Sequence, residues 1–308
     1  MKKKVLITGV AGFIGSAVAK KFIREGFEVI GVDDLSSGHM RNVPNQIKFI
    51  KHDLSKKGLE NKIDKKVKYI LHLAGQSSGE VSFEDPITDL KKNTISTLNL
   101  IELSKNLKLQ KFLYASSMSV YGDQVKQPVK EYYTLNPKSC YGIGKLASEK
   151  YLDLFKEITP YVNMRMFNVY GPGQDMVNLK QGMISIYLSQ ALNKKKIIVK
   201  GSIKRFRDFV YINDVVDIWF EATINKHKNL SLNIGTGKKS YVSTILKIIE
   251  KKCNVKYVVR ENTLGDQHGI YANISNLKKF VKKIKFTDLK EGIEKFIIYE
   301  KNIRKKND

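Results

Sequence analysis

The stretch "KVLITGVAGFIGS" (4–16) changes character twice, and its reading decides the fold. Residues 4–8 form a short β-rich run. Glycines then fall at 9, 12 and 15, and apolar residues at helical spacing run through Phe13, Ala17, Val18 and Phe22. Gly26 stands where a helix C-cap belongs. A second strand, "FEVIGVDD" (27–34), ends at Asp33. The unit is therefore strand, glycine turn, helix, strand, acid. Glycines let a backbone approach a pyrophosphate, the helix N-terminus offers N–H groups and a positive dipole end, and the acid accepts ribose hydroxyls. Glycines alone also punctuate ordinary loops; the flanking strands and Asp33 make this unit specific. A second acid, Asp34, would be redundant if only a loop cap were needed.

Further strand–helix units follow. "IKFIKHDL" (47–54) puts Asp53 at a strand end, "KYILHLAG" (68–75) is almost wholly apolar, and "NTISTLNLIELSKNL" (93–107) reads as a helix. After "KFLYASS" (111–117) come a helix containing Tyr141 and the strand "YVNMRMFNVYGP" (161–172). Alternation of this kind implies an α/β fold, a Rossmann-like doubly wound parallel sheet with helices on both faces and ligands beyond the strand C-termini. Gly9, Asp33, Asp53, Ala74, Ser116 and Asn168 all fall at such ends. Asp53 could equally cap the next helix, and Ser116 could equally satisfy backbone groups. His72, inside an apolar strand, reads as a core histidine. Beyond residue 172 a helix, the strand "IIVKG" (197–201), a return toward the sheet at "RFRDFVYI" (205–212), a helix at 212–225 capped near Asn213 or Asp214, and the strand "LSLNIGTG" (230–237) are expected. Helices near 241–253 and 287–302 follow, with a fraying tail. The expected division is residues 1–171 with 207–235 as a dinucleotide-binding domain, and 172–206 with 236–308 as a discontinuous α/β substrate lobe.

The chain of 308 residues is 42% hydrophobic and suits one large domain with a smaller lobe. "MKKKVLITG" is too soon broken by glycine to be a signal peptide, no stretch has the apolar length of a membrane span, and two cysteines give neither metal spacing nor a disulfide framework. A cytoplasmic protein with no metal is the expectation. The formal charge of +25 comes from lysines spread over solvent faces, with no arginine-rich arm, and so argues for surface composition rather than a nucleic-acid site. It would still steer an anionic substrate.

In "SCYGIGK" (139–145) Tyr141 precedes Lys145 by one helical turn, so both face one way. A phenol is a poor base at its usual pKa of about 10, and an ammonium beside it favours the phenolate. Ser117 can hydrogen-bond the same substrate hydroxyl. A Tyr–x–x–x–Lys spacing alone occurs by chance; joined to the dinucleotide unit and the serine strand, it reads as acid–base chemistry.

Taken together, "TGVAGFIGS", "HDL", "LHLAG", "ASSMSVYG", "YGIGK", "FNVYGPG" and "RFRDFVYINDVV" resemble the extended short-chain dehydrogenase/reductase family, specifically its nucleotide-sugar epimerases and dehydratases. The likeness runs from about residue 4 to 237 and more loosely to the end. It implies that Gly9, Gly12, Gly15 and Asp33 hold NAD, that Asp53 and Leu54 border its adenine, and that Tyr141 and Lys145 are the base and its helper, with Ser117 the family's Ser/Thr. It further implies cofactor contacts at Phe13, Ile14, Asp34, Leu73, Ala74, Gly75, Asn93 and Ser116. Substrate contacts are implied at Ser77, Ser78, Ser117, Ser119, Asn168, Arg207 and Asp266. Sugar 4,6-dehydratases carry an Asp-Glu pair where this chain has Met118-Ser119, and decarboxylases a glutamate where it has Ser119. What remains suits oxidation and re-reduction at one carbon: 4-epimerisation of a UDP-sugar, either glucose/galactose or the N-acetyl counterparts. UDP-sugar epimerases usually place an arginine shortly before a late Gly-Asp; here Thr263 precedes Gly265-Asp266. A homodimer is implied, its helices 93–107 and 141–157 forming a four-helix bundle with Leu98, Ile101, Leu146 and Leu154 as apolar candidates. Two rival classes stay open. One is a net redox enzyme or other dehydratase or decarboxylase; the other is a non-catalytic dinucleotide sensor.

Overall fold

Val5, Leu6 and Ile7 are all fully buried, which a strand achieves only with cover on both faces. The computed structural model, which describes residues 2–180, 182–194, 196–261, 268–281 and 284–307, places them in β1 (Lys4–Thr8). The chain continues through α1 (Phe13–Arg24), β2 (Glu28–Asp33), β3 (Lys48–Lys51), β4 (Val67–His72), α2 (Gly79–Glu84) and α3 (Pro86–Leu90). A π-helical turn, Lys91–Ile95, leads into α4 (Ser96–Ser104), then β5 (Lys111–Ser117), α5 (Cys140–Leu154), β6 (Tyr161–Met166) and β7 (Asn168–Tyr170). After these come α6 (Met183–Lys194), β8 (Lys196–Lys200), β9 (Phe206–Arg207), β10 (Phe209–Tyr211), α7 (Ile212–Ile224) and β11 (Leu230–Ile234). The C-terminal part holds β12 (Ser240–Tyr241), α8 (Val242–Cys253), β13 (Lys256–Arg260), β14 (Gly269–Ile270), α9 (Ser275–Phe280) and α10 (Leu289–Asn307).

Seven strands form one sheet in the order β11-β6-β5-β4-β1-β2-β3, and every pairing is parallel. The doubly wound expectation holds. Val5 and Ile7 join a core with Val18, Phe22 and Trp219 of α1 and α7, whereas Leu6 joins one with Leu100, Ile101 and Leu152 of α4 and α5. The chain leaves β1 toward β2 and later crosses back to β4 on its other side. The crevice at that reversal, beyond the strand C-termini, is where such sheets bind ligands.

The glycine turn fits this crevice for steric reasons. Gly9 has φ +70°, and a Cβ there would lie 2.7 Å from the Ala74 backbone nitrogen. A Cβ at Gly15 would lie 2.0 Å from the Gly9 carbonyl oxygen, so the first turn of α1 could not seat on β1 with any side chain there. Gly26, at φ +80°, ends α1 as its position predicts.

One expectation is corrected. "RFRDFVYI" does not return to the main sheet. β9 pairs with β12 and β14, and β10 pairs with β7 in a separate two-stranded sheet. Asp208, between them, is fully buried and accepts Thr236, Gly237 and Ala272 backbone N–H groups, which ties the turn to the C-terminal elements. α10 runs through Asn307. Among the described residues no helix is long and apolar enough to cross a membrane.

Candidate active site

A cavity of about 510 Å³ opens at the β1–β4 reversal. Gly9, Gly12, Phe13, Ile14 and Gly15 form one wall, Asp33, Asp34, Asp53 and Leu54 one end, and Leu73, Ala74, Gly75 and Ser77 the side along β4. Tyr141 and Lys145 reach it from α5, and Gln174, Asp175 and Asn178 from the segment after β7. Asp33 Oδ2 accepts the Ala11 N–H at 3.0 Å and Oδ1 the Leu35 N–H at 2.8 Å. Burial raises its pKa, and those two N–H groups oppose the rise. Each oxygen keeps a lone pair for a further donor. Asp34 and Asp53 share Lys92, a residue the sequence reading passed over, with Asp53 Oδ1 3.2 Å from its ammonium. Burial would raise both acids, yet hydrogen bonds from Lys92 and neighbouring serines hold both below the ordinary range.

Ser117 stands in hydrogen-bond contact with Tyr141, and Tyr141 and Lys145 line the cavity. Ser117 is the last residue of β5; its Oγ accepts the Ser119 N–H at 3.1 Å and donates to Ser119 Oγ at 3.2 Å. Ser139 caps α5 by accepting the Gly142 N–H, which fixes the turn that carries Tyr141. The Lys145 ammonium stands 5.6 Å from the centre of the Tyr141 ring and 5.1 Å from that of Tyr114. The expected approach of Tyr141 toward neutrality is not what the structure gives. Burial pushes its pKa up to about 12, against the Ser117 hydroxyl, and pushes Lys145 down to about 8. Desolvation disfavours both charged forms and dominates here.

Ser116 is corrected. Side chains alternate along β5, so Ala115 lines the cavity while the Ser116 hydroxyl turns to the other face and donates to Glu149 of α5. Glu149 also takes Arg165 of β6 in a two-pronged pair, Nη2–Oε2 at 2.7 Å and Nε–Oε1 at 2.9 Å. His72 is a core residue, fully buried between Thr8 Oγ1 (2.8 Å) and Thr97 Oγ1 (3.1 Å), and burial lowers its pKa to about 3.

The helix expected over 93–107 starts earlier and contains the π-helical turn. Its carbonyls at Lys92 and Asn93 bond hydroxyls of Ser96, Thr97 and Ser148. The turn buries Asn93 completely, with Nδ2 donating to Asp89 at 3.0 Å and Oδ1 left without a partner. A Cβ on Gly75, which lines the cavity, would lie 2.6 Å from that oxygen and 3.2 Å from Lys145 Nζ, so the two groups meet at Gly75. Such a π turn is a frequent mark of function, and no feature of "LKKNTIS" announced it. Gln76, also missed, bonds both Ser78 and Asp89.

The expected substrate contacts gather less tightly. Ser78 caps α2 and donates to the Lys180 carbonyl at 3.1 Å. Asn168 Nδ2 donates to the Asp208 carbonyl at 3.2 Å and lies 3.6 Å from Met118 Sδ. Arg207 is buried, donates from Nη1 to the Phe206 carbonyl at 2.8 Å, and has its pKa lowered to about 10 by burial and by Arg205. Asp266 lies outside the described residues. No cluster of metal-ligating side chains occurs among the described residues.

The residues present suit NAD. A cradle closed to any side chain at Gly9 and Gly15, and an acid at the β2 end, are what a dinucleotide needs. Residues 5–235 match the model of the NAD dependent epimerase/dehydratase family. Over 304 residues, 97% of this chain and 98% of the relative, the sequence is 34% identical to a putative UDP-glucose 4-epimerase of Methanocaldococcus jannaschii. It is also 32% identical, over 81% of this chain and 60% of the relative, to UDP-glucuronic acid decarboxylase 1 of Xenopus tropicalis. Among solved structures, it is similar to the UDP-glucose 4-epimerase of Thermotoga maritima with UDP-glucose, at a TM-score of 0.93 and 31% identity, covering 99% of this chain and 100% of that one. The chain is a member of the NAD-dependent epimerase/dehydratase family, built on its Rossmann-like fold.

Proposed function

We propose that the protein epimerises a UDP-sugar at C4 through a transient 4-keto sugar. The observation that carries this reading is the turn after β5. Ser117 and Tyr141 stand together, and the two side chains that follow Ser117 are Met118 and Ser119, so the turn brings no acid for elimination of water. When bound, NAD supplies a hydride acceptor and donor. The chain's own residues handle the proton. Tyr141 Oη takes it from the C4 hydroxyl and returns it after the ketone turns over. Lys145, with its pKa at about 8, is mostly an ammonium at neutral pH and stabilises the phenolate. Ser117, held by the Ser119 N–H, presents its hydroxyl at a fixed angle. Asp33 receives the ribose hydroxyls, and Asn168 and Arg207 receive the diphosphate.

Residues 172–206 and 236–308 serve as the substrate lobe, joined by β9, whose pairing lies with β12 and β14. The protein acts as a homodimer in the cytoplasm. Its partner-facing surface is the apolar face of α3 and α5, where Ile87, Ile143 and Leu154 are 60%, 57% and 77% exposed. Of the expected contacts, Leu154 stands on this face and Ile101 lies in the core. Incubation with UDP-galactose, UDP-glucose, their N-acetyl forms and UDP-glucuronate tests the function. Epimers formed without accumulating reduced nicotinamide support it. Carbon dioxide from UDP-glucuronate, or stoichiometric use of added NADH with no epimer, contradicts it.

A further inference from the structure

Asp89 is a carboxylate with 1% exposure on α3, and the chemistry above does not use it. Two amides hold its Oδ1, Gln76 Nε2 and Asn93 Nδ2, each at 3.0 Å. Its Oδ2 faces α5, where a Cβ on Gly144, the residue before Lys145, would lie 3.5 Å away. Among the described residues neither Asp89 nor Lys145 forms an ion pair at contact distance. The link between them is Asn93. Donating from Nδ2 to Asp89 fixes the amide so that its otherwise unpartnered Oδ1 faces the spot above Gly75 that Lys145 Nζ also faces. A buried carboxylate with this cover needs a charge to answer it, and so does a buried ammonium.

We propose that Asp89 is the counter-charge of Lys145: a positioning residue that keeps Lys145 an ammonium within the dry site and aims the Asn93 carbonyl oxygen toward it. Burial drives Lys145 down, and Asp89 is the group that opposes this. Burial drives Asp89 up, and Lys145, Asn93 and Gln76 oppose that. The other charged or titratable groups packed here are already answered or neutral. Glu149 on α5 is paired with Arg165, and Lys92 in the π turn with Asp34 and Asp53. His72 on β4 is held neutral, and Tyr114 on β5 is raised by burial. Asp89 also raises Tyr141, so removing its charge lowers the proton affinity of both Tyr141 and Lys145.

The proposal deepens the Tyr141–Lys145 reading and rests on it for its activity readout alone. Carbon-13 NMR of lysine labelled at Cε, with the Lys145 signal assigned by its loss in Lys145→Met, follows that ammonium with no substrate present. In the unmodified protein Lys145 should titrate near 8, and in Asp89→Asn about one pH unit lower, the low end for loss of a nearby opposite charge. The alkaline limb of the epimerase rate–pH profile should move down with it. Asp89→Glu, which keeps the charge and disturbs the packing, should lower kcat without moving the limb. If Asp89→Asn does not fold, Asp89→Ser carries the same expectation. An unmoved Lys145 titration overturns the proposal. A moved titration in a protein that epimerises no UDP-sugar upholds Asp89 and overturns the function proposed above.

Discussion

Replacing Arg165 with methionine should cost the fold about 3–5 kcal/mol, the range found when one partner of a buried ion pair is removed. The side chains of Arg165 and Glu149 are each 5% exposed, and three elements meet at them. Arg165 comes from β6, Glu149 from α5, and Ser116, which donates to Glu149, from β5. The guanidinium also donates to Tyr121 Oη at 3.0 Å and the Glu131 carbonyl at 2.8 Å. Methionine fills the volume but leaves the Glu149 carboxylate with only the Ser116 hydroxyl. At roughly 2–4 °C per kcal/mol for a chain somewhat smaller than this one, the midpoint of thermal unfolding should fall by on the order of 10 °C. Denaturant titration gives the free energy directly. The double variant Arg165→Met/Glu149→Leu removes both charges and should regain most of the loss. Because α5 also carries Tyr141 and Lys145, the single variant should lose turnover well below its melting temperature. A loss under about 1 kcal/mol, or a double variant no more stable than the single, would refute the reasoning.

Three further outcomes follow from the site. Tyr141→Phe keeps the ring and removes the proton acceptor, so turnover should fall about 10²-fold or more with little change in nucleotide-sugar affinity, as steady-state kinetics and calorimetry would show. Asp33→Ser should erode the preference for NAD over NADP, read from the two dissociation constants; tighter NADP binding by the unmodified protein would sink that assignment. Gly9→Ala places a Cβ 2.7 Å from the Ala74 nitrogen at φ +70°, and should abolish measurable NAD binding and lower the melting midpoint.

Much of the fold was legible because period and punctuation agree in the first half. The β1 glycine turn, Gly26 and Asp33 each have a steric or hydrogen-bonding reason to stand where they do, and Tyr141 and Lys145 share a helix face by spacing alone. What escaped reading depends on tertiary partners. Ser116 and Ser117 are identical in sequence terms, and only the alternation of β5 against α5 sends one to Glu149 and the other toward Tyr141. Lys92, Gln76 and Asp89 read as ordinary surface residues of a helix and a loop; in the fold Lys92 and Gln76 line the cavity, and Asp89 is buried against Gln76, Asn93 and Gly144. "RFRDFVYI" carries the apolar pattern of a core strand, but Asp208 pins it to residues 236, 237 and 272 and draws β9 and β10 into small sheets. Tyr141 departs from the expected downward shift because burial of the phenol outweighs the hydrogen bond from Ser117.

The central claim is that the hydrogen removed from C4 returns to C4 of the same sugar. UDP-galactose deuterated at C4, incubated with the protein and NAD, tests it by proton NMR and mass spectrometry of the product. The account predicts UDP-glucose that keeps its deuterium at C4, with no build-up of reduced nicotinamide and no product from Tyr141→Phe on the same timescale. Epimer carrying hydrogen at C4, or a sugar product that has lost water or carbon dioxide, would contradict it.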